Sequence, residues 1–216
     1  MHSEMFPLLN RDAPNTAELF QIWVNLPKRD KMAPPFFTML WDADIPRLRE
    51  TAVEVTVVAG SLGNLTPPPP PPNSWASQSE ADVAIWHIRL APGATWTMPK
   101  ARFTDTGRIA YTFGGIDAQF SGELVEAGTG VVVRCDTDVD VGSTGGAEIL
   151  VLQGRPIGEP VAQYGPFVMN DRAGLEKAFS DYQETQFGGW PWPNDDPVHG
   201  AAPTRFARQP NGVSIS

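Results

Sequence analysis

A single cysteine, Cys135, among 216 residues leaves no route to an internal disulfide or to a thiolate metal cluster. It stands in the strand-like run VVVRCD and is expected to serve as a small buried hydrophobe. Histidine is almost as scarce, with His2, His87 and His199 the full complement. Basic runs are missing altogether. Sixteen Lys and Arg stand against 25 Asp and Glu, a net charge of −9, and a surface of that sign repels phosphate backbones. Direct nucleic-acid binding is therefore not expected. No apolar stretch reaches the roughly 18 residues of a membrane-spanning helix. The first twenty residues have no signal-peptide layout, so a cytoplasmic protein without membrane contact is expected.

What the chain does have is short strand signals. LFQIWVNL (19–26), VEVTVVAG (53–60), VAIWHIRL (83–90), RIAYTF (108–113), GVVVR (130–134) and AEILVLQG (147–154) are rich in β-branched and aromatic residues. Each is closed by Gly, Pro, Asp or Asn. In VAIWHIRL, Ala84, Trp86, Ile88 and Leu90 fall on one face and Val83, Ile85, His87 and Arg89 on the other. The following LAPGATW reads as a turn on Pro92 and Gly93. Strands joined by turns, with no helical periods between them, predict an all-β antiparallel barrel or sandwich.

One segment, RAGLEKAFSDYQETQF (172–187), has helical spacing: Leu175, Ala178, Phe179 and Tyr182 make one apolar stripe. Asn170 or Asp171 can cap its start and Gly188 and Gly189 its end. The helix is expected on the outside of the barrel, in a structural role. The hexaproline run 67–72 predicts a stiff loop between strands rather than a ligand for proline-binding domains. Trp190 and Trp192 are expected to anchor an irregular tail, and PNDDP to form a turn.

Candidates for chemistry are few. His2 and Glu4, in MHSEMF, are an imidazole and a carboxylate at i and i+2, which share one side of a strand. That donor pair suits iron(II), manganese, nickel or zinc, yet three or four protein donors usually hold a catalytic metal. His87 shares a strand face with Val83 and Ile85 and reads as a satisfied histidine; His199 lies in the proline-rich tail. No nucleophile elbow, phosphate loop, dinucleotide fingerprint or CxxC is present, so no catalytic or cofactor-binding residue is assigned.

In order along the chain, HSEM, LFQIWVNLP, KMAPPFF and GRPIGEPVAQYGPFVMN before a helix resemble the pirin family of two-barrel cupins. TPPPPPPNSWAS and GGWPWPNDDPVHG are similar to loops of its bacterial branch. The resemblance implies cupin barrels of the double-stranded β-helix or jelly-roll type. It divides the chain into a remnant of the N-terminal barrel and linker (1–50), a C-terminal barrel (51–168), and a helix with a Trp- and Pro-rich tail (169–216). In pirins one metal, usually iron, is held in the N-terminal barrel by an H-x-H pair and a later H-x-E. His2 and Glu4 match the H-x-E pair, and the H-x-H pair is not in this sequence. The chain is accordingly expected to be a bacterial pirin lacking most of its first barrel, with an incomplete metal site that does not hold Fe(II) alone. TWTMPKARF and GTGVVVRCDTDVDVG carry no histidine where a metal-binding second barrel would place one. That barrel is expected to be structural or to bind something other than a metal.

Three functions follow from the resemblance. The first is an iron-dependent quercetin 2,3-dioxygenase-like activity on a flavonol-like small molecule, present in a full-length form and absent from this chain. The second is a non-catalytic regulator that binds another protein, a transcription factor or a metabolic enzyme. The third is a fragment without a role of its own. Loss of barrel partners would leave residues 1–50 with exposed apolar side chains. They are then poorly ordered, draped over the second barrel, or buried in self-association.

Overall fold

The computed structural model describes residues 2–200, 204–209, 212, 214 and 215. It divides into two compact units, one of them Val24–Gly158 and the other joining the described residues before Val24 to those after Gly158.

Alternation of side chains organises the first unit. Ten strands are present in it: β1 (Arg47–Glu50), β2 (Val53–Ala59), β3 (Ala84–Leu90), β4 (Thr95–Met98), β5 (Gly107–Gly115), β6 (Asp117–Phe120), β7 (Glu123–Glu126), β8 (Gly130–Val132), β9 (Val139–Gly142) and β10 (Ala147–Gly154). They form a six-stranded sheet in the order β1-β2-β3-β10-β5-β8 and a four-stranded sheet in the order β4-β9-β6-β7. Every pairing between them is antiparallel. Consecutive strands pair at β1-β2-β3 and β6-β7, while β3 beside β10 and β4 beside β9 are far apart in sequence; this is the antiparallel arrangement that the strand signals predict and the jelly roll that the family resemblance implies.

The core lies between the two sheets. Val53, Val55 and Val57 of β2, Ala84, Trp86, Ile88 and Leu90 of β3, and Ile149 and Val151 of β10 meet Trp96, Met98, Phe120 and Val141 from the other sheet. The face expected for Ala84, Trp86, Ile88 and Leu90 is the buried one. Burying a Val- or Ile-sized side chain contributes about 1.5–3 kcal/mol, so these pairs of alternate residues fix the strand register. The turn after β3 bends on Gly93, at φ 75°.

Loops are tied down by side chains. The hexaproline run leads into Ser74, whose backbone N–H donates to Pro71 O at 2.9 Å, and Trp75 Nε1 donates to Arg155 O at 3.0 Å. A stiff loop, fixed at its end, matches its expectation. Cys135 departs from its own. It is half-buried in the loop after β8, with Sγ 3.5 Å from Thr104 O, because β8 ends at Val132.

The second unit contains a hairpin of β11 (Ala162–Tyr164) and β12 (Phe167–Met169), helix α1 (Arg172–Thr185), and a short pairing of β13 (Ala207–Arg208) with β14 (Ser214–Ile215). Asp171 caps α1, its side chain accepting from Gly174 N at 2.7 Å. The helix stops two residues earlier than its apolar spacing suggests. Gln186 turns left-handed at φ 52°, ahead of Gly188 and Gly189. The apolar stripe packs on the hairpin: the Phe167 and Phe179 rings are 4.7 Å apart, edge to face, and Tyr164 and Phe179 5.6 Å. Trp190 and Trp192 meet edge to face at 4.8 Å, and Asn194 Oδ1 accepts from Asp196 N at 3.0 Å, forming the turn expected of PNDDP.

LFQIWVNL does not become a strand. Residues 19–26 run without helix or ladder and pair with no strand among the described residues. Residues 2–18 likewise have no regular structure. Within the first unit, Pro27 and Ile45 are buried on the way to β1.

Candidate functional site

His2 and Glu4 lie on irregular backbone, not on a strand. Their side chains nevertheless approach each other, Nε2 to Oε1 3.7 Å, while staying 72% and 65% exposed. In water, such a pair contributes little and does not fix its own geometry. Among the described residues no group of three or more His, Cys, Asp or Glu side chains gathers to hold an ion. The two remaining histidines are engaged elsewhere. His87 Nε2 is 2.8 Å from Glu148 Oε2 and its ring lies 5.5 Å from that of Phe113. The His199 ring nitrogens lie 2.9 Å from Gly200 O and 2.9 Å from Thr204 O. A first-row metal ion needs three or four donors on a prepared frame. Two mobile-length side chains on an exposed segment do not fit that requirement.

On the outer face of the six-stranded sheet, charges form a ladder across β1, β2, β3 and β10. Arg49 Nε donates to Glu54 Oε2 at 2.9 Å, Arg89 lies 3.8 Å from Glu54, and Arg89 Nε donates to Glu148 Oε2 at 3.2 Å. Partial burial pushes the Glu148 carboxyl up, but hydrogen bonds from Arg89 and His87 outweigh it and hold the group below the usual carboxylate range.

The barrel interior holds what the sequence did not announce. Arg108, the second residue of β5, is 1% exposed and points into the barrel with Ala110 and Thr112. β10 separates it from β3: Ala84 pairs with Gln153 and Gln153 with Arg108, and one pair further on Trp86 faces Val151 and Val151 faces Ala110. Gln153 Oε1 accepts from Arg108 Nε at 2.8 Å and from Nη2 at 2.6 Å, while its own Nε2 donates to Asp82 O at 3.0 Å. Arg108 Nη1 and Trp86 Nε1 are both buried and have no hydrogen-bond partner. The guanidinium carbon lies 6.0 Å from the Trp86 ring centre. Burial pulls the guanidinium pKa below its ordinary value, and the carboxylates of Asp82 and Asp138 oppose that pull from a distance.

A plug closes this end of the barrel. Asp82 Oδ2 accepts from Thr106 Oγ1 at 2.7 Å and from Arg102 N and Phe103 N at 3.1 and 3.3 Å. Arg155 lies over the Phe103 ring and donates to both oxygens of Asp105, at 2.8 and 2.7 Å. The Asp105 carboxyl is held below its ordinary range by those bonds. The only sequence signal for the buried cation is its place on a strand two residues ahead of Ala110, which by itself suggests nothing.

A jelly roll of these two antiparallel sheets is a cupin barrel. Residues 85–188 match the pirin C-terminal cupin domain, and over most of its length the chain is similar to pirins. It is 32% identical over 173 residues to Pirin-1 of Arabidopsis thaliana, covering 78% of this chain and 57% of that protein. It is 34% identical over 191 residues to a Pseudomonas aeruginosa protein named for a proposed quercetin 2,3-dioxygenase activity, covering 86% of this chain and 61% of the relative. Among solved structures, quercetin 2,3-dioxygenase from Acinetobacter baumannii superimposes with a TM-score of 0.66 at 26% identity, over 77% of this chain and 55% of that one. The chain thus spans roughly three-fifths of the length of the curated relatives it matches. No helix among the described residues is long and apolar enough to cross a membrane.

Proposed function

We propose that this pirin-like protein serves a quercetin 2,3-dioxygenase-like function that depends on iron, and that the polypeptide as it stands does not perform the oxidation. His2 and Glu4 would be two of the iron ligands, a neutral imidazole nitrogen and a carboxylate oxygen. The observation that carries this reading is their isolation: 3.7 Å apart, mostly exposed, with no third donor gathered beside them among the described residues. The relatives support the substrate class, since two of them carry the name of a quercetin dioxygenase. Purified protein loaded with ferrous iron and desalted is expected to retain well under one equivalent of iron and to show no quercetin-dependent oxygen uptake. Stoichiometric iron together with turnover would overturn the proposal.

A second reading, a non-catalytic role in protein binding or self-association through residues 1–50, is favoured by a separate observation. Phe6, Leu8, Leu9, Leu19, Trp23, Met32 and Phe36 are all exposed within this stretch, most of it irregular. Such a density of apolar side chains marks a contact surface. Light scattering after size exclusion is expected to show a dimer or larger at tens of micromolar protein. A monodisperse monomer that binds no hydrophobic dye would remove this reading.

A further inference from the structure

A charged side chain in an apolar interior is costly unless a counter-charge or a full set of hydrogen bonds accompanies it. Arg108 has neither. It is 1% exposed, its two hydrogen bonds go to the neutral Gln153 Oε1, and no ion pair with a carboxylate forms among the described residues. Trp86, 3% exposed on the same inner face, presents an indole N–H that is equally without an acceptor. Both groups are donors only, so neither can satisfy the other. Two buried, unmatched N–H groups on one wall of a barrel call for an acceptor from outside the chain.

We propose that the interior of this barrel is a binding site for a small monocarboxylate, held by Arg108 Nη1–H and Trp86 Nε1–H. The chemistry selects that class in three steps. Water would accept from both donors but would leave the guanidinium without an ion-pair partner in contact. A carboxylate pairs with it directly and has two oxygens, each able to accept at about 2.9 Å, one for each of two neighbouring donor groups, the guanidinium carbon lying 6.0 Å from the Trp86 ring centre. The rest of the interior wall is aliphatic, with Val57, Met98, Val139 and Val151 in the same core, and Ala84 and Ala110 keep the flanks of the two donors small. Such a wall accommodates a short apolar tail and offers no donors for the further oxygens of a phosphate or a second carboxylate. The fixed edge of Arg108 contributes to the selection. Gln153 occupies Nε and Nη2, so the guanidinium cannot turn, and Nη1 is held for the ligand. Metal plays no part in this site, which has no histidine within it. The site is independent of His2 and Glu4.

The test uses the whole purified protein with sodium acetate as probe, against sodium chloride at matched ionic strength. The indole N–H resonance of Trp86 is assigned by its loss in Trp86→Phe. Acetate is expected to shift that resonance saturably and to raise the melting temperature with concentration, as binding to the native state alone requires. Arg108→Met, close in length and uncharged, is expected to abolish both responses. Trp86→Phe keeps the ring and loses one donor to a charged acceptor, and its acetate affinity is expected to fall about tenfold. It decides the matter if the arginine variant fails to fold. A Trp86 resonance and a melting temperature that ignore acetate at 100 mM, leaving water as the occupant, would overturn the proposal. So would an equal response to chloride, which would show compensation of charge without recognition of a carboxylate.

Discussion

Two nitrogens of Arg108, Nε and Nη2, converge on a single oxygen, Oε1 of Gln153, at 2.8 and 2.6 Å. Gln153 in turn spends its amide on Asp82 O at 3.0 Å, so one neutral side chain links a buried cation to the loop that closes the barrel. Gln153→Ala removes the acceptor and leaves more of the guanidinium unsatisfied. The expected loss is on the order of 3 kcal/mol, read as a lower urea midpoint with an unchanged slope. Replacing both partners, Arg108→Met with Gln153→Leu, should restore most of that stability. Apolar pairs of similar volume commonly match or exceed the polar pairs they replace.

The ladder on the outer face predicts a pH dependence. Glu148 has a folded-state pKa below its ordinary value, so the unfolded chain binds a proton at that carboxyl more readily than the native protein does. Its contribution is therefore fully present above the ordinary glutamate range and is lost as pH falls through the lower folded value. Glu148→Gln should flatten that part of an acid stability curve and change little at neutral pH. The pair is partly exposed, and the cost at pH 7 is expected to stay below about 1 kcal/mol. An acid limb unchanged by the substitution would show that Arg89 and His87 do not stabilise the ionised form.

Alternation made some strands legible and misled about others. In VAIWHIRL the larger apolar residues share a face and that face is buried, so reading and structure agree. RIAYTF has the opposite layout. Ile109 and Tyr111 are 36% and 39% exposed, while Arg108, Ala110 and Thr112 point inward. Hydrophobicity alone would turn this strand over. It sits as it does because its inward polar groups are mostly satisfied: Thr112 Oγ1 donates to Glu126 O at 2.7 Å and accepts from Thr129 N, and Gln153 holds one edge of Arg108. Those partners lie 14 to 45 residues away, beyond any local pattern.

Two short strands of the smaller sheet were also invisible. DAQF and ELVE, as β6 and β7, carry too few apolar residues to stand out from loops. LFQIWVNL has the composition of a strand but pairs with no other segment among the described residues, and a strand is a property of two segments and not of one. The same limit applies to the candidate sites. His2 and Glu4 could be found because a metal pair has a residue signature. Arg108 and Trp86 carry none, since what marks them is the absence of acceptors in a packed interior.

The cap of α1 is a separate test, confined to the second unit. Asp171 Oδ1 accepts from Gly174 N at 2.7 Å, the ordinary service of an N-cap carboxylate. Asp171→Ala should cost about 1 kcal/mol, and Asp171→Asn, which keeps an acceptor at the same reach, only a fraction of that. Hydrogen exchange is the measurement of choice, because it reads the helix locally. The amide of Gly174 should exchange several-fold faster in the alanine variant, while amides of β3 and β10 stay unchanged.

Gly115 gives the sharpest steric prediction. It ends β5 at φ 90°, beside the irregularity where the pairing with β10 slips between Glu148 and Ile149. A methyl group there would lie 2.1 Å from Gly146 O and 2.7 Å from the Ala147 Cα, both backbone atoms that cannot swing aside. The left-handed φ adds its own penalty for a residue with a Cβ. Gly115→Ala is expected to cost at least 2–3 kcal/mol, on the scale of strained backbone positions. Gly93→Ala is the control. It shares the positive φ, at 75°, but its added methyl meets nothing within 4 Å, so its cost should be the conformational part alone, about 1 kcal/mol. Urea denaturation of the two variants should separate them clearly. Equal losses would mean that the close approach of Gly146 to β5 does not constrain this corner of the sheet.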